Sequence, residues 1–233
     1  MTEKPIKFAG KALTLTVRND GDVAIANELF LDHQYQKCDD VIRKAKHTVI
    51  DVGGHLGFFS VMASTLNPKV PILSFEPHLG NFELLKTNLK KNRIQNVIPK
   101  QVAVSDVNGP VILQISQEDL NHSLLKAIEP TNQTEQVQST TLERIFHKNR
   151  IEKCDLLKLD CEGSEYKIIQ STPQEIFERI DHIFLEYHDW FPGHNVNQLK
   201  QTLMNAGYRV EHYPNHKMKE LGFLWCLRNN TRT

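Results

Sequence analysis

Along this chain, short apolar runs alternate with stretches in which apolar residues recur at helical spacing. The run that organises the rest is 48–60. Its first five residues, Thr-Val-Ile-Asp-Val, are β-branched and apolar except for Asp51, the pattern of a strand buried on both faces. Gly53, Gly54 and Gly57 follow, allowing a tight turn and close backbone approach to a ligand. Phe58, Val61, Met62 and Leu66 then mark a helix. Such a corner offers the free N–H groups of a helix N-terminus to a bound nucleotide.

The same reading extends in both directions. Upstream, residues 11–17 alternate as a half-exposed strand, 19–22 read as a turn, and 24–43 as one or two helices that cover an edge of the corner. Downstream, strands are predicted at 70–75, 97–105, 154–159 and 181–185, with shorter ones at 110–116 and 137–141. Helices are predicted at 81–92, 142–149, 165–170, 173–179 and 196–206, and strands at 208–213 and 221–228 close the chain. The polar, aperiodic stretch 121–134 reads as a loop over the site and, with the residues after Glu186, as the seat of acceptor specificity. Strands alternating with helices imply an α/β fold: a mostly parallel sheet, here of seven strands, with helices on both faces. The last two strands, joined by a turn, add an antiparallel hairpin. One domain over 1–233 is expected, with 1–46 as a strand and helix extension.

Charge narrows the partners. Lys+Arg and Asp+Glu both number 28, which gives no electrostatic reason to expect nucleic acid or an anionic membrane. The four cysteines, Cys38, Cys154, Cys161 and Cys226, form no CxxC pair and suit a reducing compartment. No run approaches the roughly 18 apolar residues of a membrane span, and none near the N-terminus resembles a secretory signal. A cytoplasmic protein is the expectation.

Acidic residues fall at the ends of successive predicted strands: Asp51, Glu76, Asp160 and Glu186. Open α/β sheets bind ligands at that edge, and a carboxylate at Glu76 can accept from both hydroxyls of a ribose. The spacing does not fit the dinucleotide motif G-x-G-x-x-G, because His55 stands between Gly53 and Gly57. An acid-lined edge suits S-adenosyl-L-methionine, which has no phosphate and carries a sulfonium.

Asp-Val-Gly-Gly-His-Leu-Gly-Phe-Phe-Ser (51–60), Phe-Glu-Pro-His (75–78), Val-Ala-Val-Ser-Asp (102–106), Thr-Leu-Glu (141–143) and Leu-Lys-Leu-Asp-Cys-Glu-Gly-Ser-Glu-Tyr (157–166) together resemble the FkbM family of S-adenosylmethionine-dependent methyltransferases. The resemblance covers roughly 48–189, and the last block is its most specific part. Family members usually carry Ala-Asn where this chain has Gly54-His55, and Asp where it has Glu143. The resemblance implies a class I methyltransferase fold and O-methylation of sugar or natural-product hydroxyls, with a small-molecule or glycan acceptor. It also implies that Gly53 and Gly57 line the methionine moiety, with Asp51 supporting the turn. Glu76 would then hold the ribose, Ala103 to Asp106 would border the adenine, and Asp160 would sit beside sulfonium and acceptor.

Methyl transfer requires an aligned acceptor oxygen and a base for its proton. Asp160, Glu162, Glu186 and His188 are the candidates, His188 because imidazole titrates near neutrality. Alternatively, Asp160 with Glu186 or Asp189 can hold a divalent cation that acidifies the hydroxyl. Each has an ordinary counterpart: a histidine is commonly structural, and Glu162 and Glu165 open a helix whose dipole favours acids. A non-catalytic module that keeps the S-adenosylmethionine pocket as sensor or scaffold is the rival to an enzyme.

Overall fold

The computed structural model of the protein describes residues 1–116, 122–125 and 130–229. The chain opens with a hairpin, β1 (Thr2–Phe8) and β2 (Lys11–Val17), and two helices, α1 (Asp20–Phe30) and α2 (Gln36–Lys44). The glycine corner follows as β3 (Val49–Val52) and α3 (Phe58–Leu66), then β4 (Ile72–Phe75), α4 (Leu79–Lys91) and β5 (Val97–Lys100). Next come β6 (Ala103–Val104), β7 (Gly109–Ser116), β8 (Pro130–Thr140) and α5 (Leu142–Lys148). The last part comprises β9 (Leu156–Leu159), α6 (Glu165–Ser171), α7 (Gln174–Phe177), β10 (His182–His188), α8 (Val196–Asn205), β11 (Tyr208–Pro214) and β12 (Leu221–Arg228).

Seven strands form one sheet in the order β11-β12-β10-β9-β3-β4-β5. From β10 to β5 they run parallel, while β12 lies antiparallel between β10 and β11. The chain steps outward from β3 through β4 to β5 and then restarts in the other direction at β9. The crevice at the carboxyl ends of β3 and β9 is therefore the switch point where such sheets bind ligands.

The strand residues alternate between two cores. Val49 and Leu156 join the side covered by α1, α2, α3 and the N-terminal hairpin, whereas Ile50 and Leu157 join the side covered by α5 to α8. That alternation puts Asp51 and Lys158, which are register partners, on one face, with Ser74 opposite Asp51 on β4. Two charged residues at the centre of a buried sheet are thus placed to neutralise each other.

Four segments differ from the pattern-based reading. Residues 19–22 are the start of α1, because the Asn19 side chain accepts from Asp22 N at 3.0 Å and caps the helix. Residues 2–8, too charged to show an apolar period, form a strand through their ladder with β2. The expected strand 97–105 breaks where Val102 N bonds Lys100 O at 3.0 Å, so β6 leaves the central sheet to pair with β8. The expected loop 121–134 becomes strand at residue 130; residues 121 and 126–129 lie outside the described residues. β8 is polar because it is held mainly by its ladder with β7, in a small separate sheet of order β6-β8-β7. Among the described residues no helix is long and apolar enough to cross a membrane.

Candidate active site

The glycine corner builds one wall. The N–H groups of Gly53 and Gly54 donate to Phe75 O at 3.1 and 2.8 Å, tying the turn to the end of β4. Gly53 has φ +77°, and a Cβ there would lie 1.7 Å from the Asp160 carbonyl oxygen, so no side chain fits. His55 also takes the left-handed region (φ +47°), which Asn adopts readily. This turn aims His55 N at Glu76 Oε2 (2.8 Å), while His78 N donates to Oε1 (2.9 Å). Glu76 is thereby fixed and buried, and burial pushes its carboxyl up to about 7 despite those two amides.

The N-terminal hairpin and helix lean against this wall. Asn88 of α4 and Asn92, which caps its C-terminus, bond the backbone of Thr16 and Thr14, docking β2 along α4. Arg18, at the end of β2, reaches Asn81 Oδ1 at 2.8 Å and lies 3.1 Å from His55 Nε2. Asp22, buried in α1, accepts from Arg18 Nε and Nη2, both at 3.0 Å.

The opposite wall comes from the segment after β9 and the end of β10. Glu162 takes a left-handed turn (φ +56°), and Glu165 folds back to accept from Cys161 N (2.6 Å) and Gly163 N (2.8 Å). This locks the Asp160–Ser164 turn around His188, whose Nδ1 lies 3.2 Å from Glu165 and whose Nε2 lies 3.6 Å from Glu162. Asp160 Oδ2 accepts from Tyr35 OH at 3.1 Å and sits 3.5 Å from Lys158 Nζ. Lys158 is the buried hub: it also lies 3.3 Å from Asp51 and donates to Val52 O and Gly53 O at 3.2 and 2.7 Å. The two walls enclose a cavity of about 300 Å³, within the range of small-ligand sites.

Burial and mutual charge set the protonation of this cluster. For His188, burial opposes the charge, but Glu165 and Glu162 outweigh it and hold the imidazole well above its ordinary range. Burial also raises the Glu162 carboxyl, to about 7. Glu186 is pushed well up by burial and by Asp160. Asp160 is held low: burial works against its charge, but Lys158, His188 and hydrogen bonds from Tyr35 and Glu186 prevail. The two carboxyls are thus pushed apart, Glu186 toward its protonated form and Asp160 toward its charged one.

The model of the methyltransferase FkbM domain family matches residues 51–210. The chain belongs to the FkbM methyltransferase family. Methyltransferase 1 of Beauveria bassiana is 23% identical over 185 residues, 71% of this chain and 73% of that protein. The 31-O-demethyl-FK506 methyltransferase FkbM of Streptomyces tacrolimicus is 25% identical over 215 residues, covering 76% of this chain and 82% of its own length. Among solved structures, methyltransferase FkbM from Methylobacillus flagellatus superposes with a TM-score of 0.54 at 12% identity, over 78% of this chain and 43% of that one. An rRNA methylase from Streptococcus thermophilus gives 0.51 at 10% identity, over 84% and 96%. These likenesses confirm the class I methyltransferase fold.

Of the positions singled out in the sequence of this FkbM-family methyltransferase, Gly53, Glu76, Ala103, Asp160, Glu186 and His188 line the cavity. Asp51, Gly57 and Asp106 do not. Asp51 is fully buried behind the turn, accepting from Ser60 and Ser74 at 2.7 and 3.0 Å. Gly57 begins α3, and a Cβ there would press on Leu85 at 3.0 Å. Asp106 is exposed and accepts from Ser105. Asp189 is used elsewhere, capping α8 through Val196 N (3.1 Å) and accepting from Tyr166 OH. The pattern-based reading passed over Lys158, Tyr35, Arg18 and Asp22. Lys158 alone had a signal: a charge inside Leu-Leu-Lys-Leu, a run that is otherwise apolar, demands a buried partner.

Proposed function

We propose that this methyltransferase transfers the methyl group of S-adenosylmethionine to a hydroxyl oxygen, of a sugar, glycoconjugate or natural product. The observation that carries this reading is the cluster of Asp160, Glu162 and Glu186 facing the glycine corner across one cavity, with the Asp160 carboxylate held by Tyr35 and Lys158. S-adenosylmethionine, when bound, supplies an electrophilic methyl on a sulfonium. The residues fit it: Gly53 permits close backbone approach, Glu76 keeps lone pairs for the ribose hydroxyls, and the acids outnumber the cations near the positive centre.

The chain's own residues then orient the acceptor and take its proton. Asp160 holds its negative charge and accepts the hydroxyl proton; Tyr35 and Lys158 fix its carboxylate. His188 positions Glu162 and Glu165 rather than acting as the base, because both its nitrogens face carboxylates. The Streptomyces tacrolimicus relative is a 31-O-demethyl-FK506 methyltransferase, which supports oxygen as the acceptor atom.

Asp160, Glu186 and His188 offer ligand atoms within 4.8 Å of one another. Both nitrogens of His188 already face carboxylates, and Lys158 already occupies the cationic place beside Asp160. We therefore read the reaction as metal-free. Transfer of labelled methyl to a panel of hydroxyl-bearing glycans and natural products is the direct test, and EDTA should leave the rate unchanged. Loss of transfer on EDTA treatment, restored by Mg²⁺, would refute the metal-free reading. Calorimetry showing no heat with S-adenosylmethionine or its demethylated product would sink the donor assignment.

Glu76 gives the pH dependence. Its raised carboxyl binds a proton in the folded state that the unfolded chain has lost, so this group's contribution to stability falls as pH rises from about 4.5 to about 7. Ribose hydroxyls donate to the ionised form, so affinity for S-adenosylmethionine should rise between about pH 6 and pH 8. Glu76→Gln should weaken binding by about 1–3 kcal/mol and flatten that rise. Unaltered affinity and slope in the variant would remove Glu76 from the ribose site.

A further inference from the structure

A second cavity, of about 480 Å³, lies where β5, β8 and α5 meet. It is walled off from the first by Phe75, which lines both. Lys100, Arg144 and Lys148 line it, and among the described residues no carboxylate does. Elsewhere on the surface Lys37, Lys86, Lys91, Lys153 and Arg209 each meet a carboxylate within 2.7–3.0 Å. Among the described residues, the three cations of this cavity form no such ion pair. Three like charges around one concavity reinforce each other's potential and draw in an anion.

The wall also holds the hydroxyl of Ser139, 6% exposed, whose Oγ has no hydrogen-bond partner among the described residues. Ser139 lies opposite Ala103 on one side and Gly109 on the other, neither of which has a polar side chain to offer it. Buried hydroxyls are as a rule bonded, and this one lies beneath the cavity surface without a partner. A guanidinium fork and two ammonium groups around one concavity suit the oxygens of a tetrahedral anion.

We propose that this cavity binds a small phosphate- or sulfate-bearing molecule through Lys100, Arg144 and Lys148. The site is separate from the methyl-transfer cavity and stands whether or not the reading of that cavity does. Its shared wall, Phe75, immediately precedes Glu76 in the chain.

The test is calorimetric titration of the full chain with inorganic phosphate, pyrophosphate and sulfate at constant ionic strength, with and without saturating S-adenosylmethionine. Saturable binding is expected in both conditions, and the order of phosphate against sulfate identifies the preferred chemistry. R144Q, an exposed change, should weaken that binding about tenfold or more, and K148Q should weaken it further when combined. S-adenosylmethionine affinity should be unchanged in R144Q, which separates loss of this site from loss of the fold. The proposal is overturned if none of the three anions binds saturably, if R144Q and K148Q bind them as the parent does, or if S-adenosylmethionine displaces them.

Discussion

Asp160→Asn lowers turnover by about 10²–10⁴-fold while affinity for S-adenosylmethionine stays within a few-fold. The amide has the same shape and can still accept from Tyr35 OH, which now lies 3.1 Å from Oδ2, so the turn that carries it is preserved. What disappears is the charge that takes the acceptor's proton. The same change has a second signature. Asp160 ranks next to burial among the causes that raise Glu186, so without it Glu186 ionises at lower pH. The residual activity of Asp160→Asn should accordingly have its pH profile displaced toward acid. Steady-state rates across pH, alongside calorimetric affinities, check both points. Equal loss of turnover and affinity would mean that Asp160 serves the donor rather than the acceptor.

Lys158→Met should destabilise the fold by about 3–5 kcal/mol. Lys158 is 3% exposed, and its ammonium faces Asp51, fully buried, as well as Asp160 and two carbonyls of the glycine corner. Removing the cation strands the Asp51 carboxylate at the centre of the sheet with only Ser60 and Ser74 beside it. Adding Asp51→Asn to Lys158→Met should recover part of the loss, because the two residues are one buried pair. Denaturant unfolding of the two single variants and the double variant measures the coupling. Additive losses would show that the pair is not a unit. Burial works against the Lys158 charge, but Asp51 and Asp160 hold its pKa above the ordinary range. Its contribution is therefore full below about pH 10.4 and is lost only as pH rises through the folded value.

These two residues show where the sequence was legible. Asp160 ends a strand that the apolar run of β9 announces, and strand ends in a parallel sheet gather on one edge, so its place in the site followed from order alone. Lys158, two residues earlier, belongs to the same recognisable block, yet its role depends on being the register partner of Asp51 across roughly a hundred residues of chain. Register between distant strands has no signature in local periodicity. Protonation shows the same limit. An imidazole read alone suggests a base near neutrality, but His188 sits between Glu165 and Glu162, and their charges hold its pKa well above the ordinary range. The Tyr35 contact to Asp160 likewise joins residues that no motif links.

The amino-acid sequence by itself determined the class I methyltransferase fold, the glycine corner and the acids along the sheet edge, because periodicity, turn chemistry and strand ends are local properties. Only the tertiary structure decided the rest. It moved Asp51 behind the corner with Lys158 and left Asp106 outside the cavity. It also drew the N-terminal hairpin against α4, so that Arg18 reaches His55, and closed Glu165 around His188. Those outcomes depend on which side chains share a low-dielectric interior, and the desolvation and Coulomb terms that set their charges exist only once distant segments have packed together.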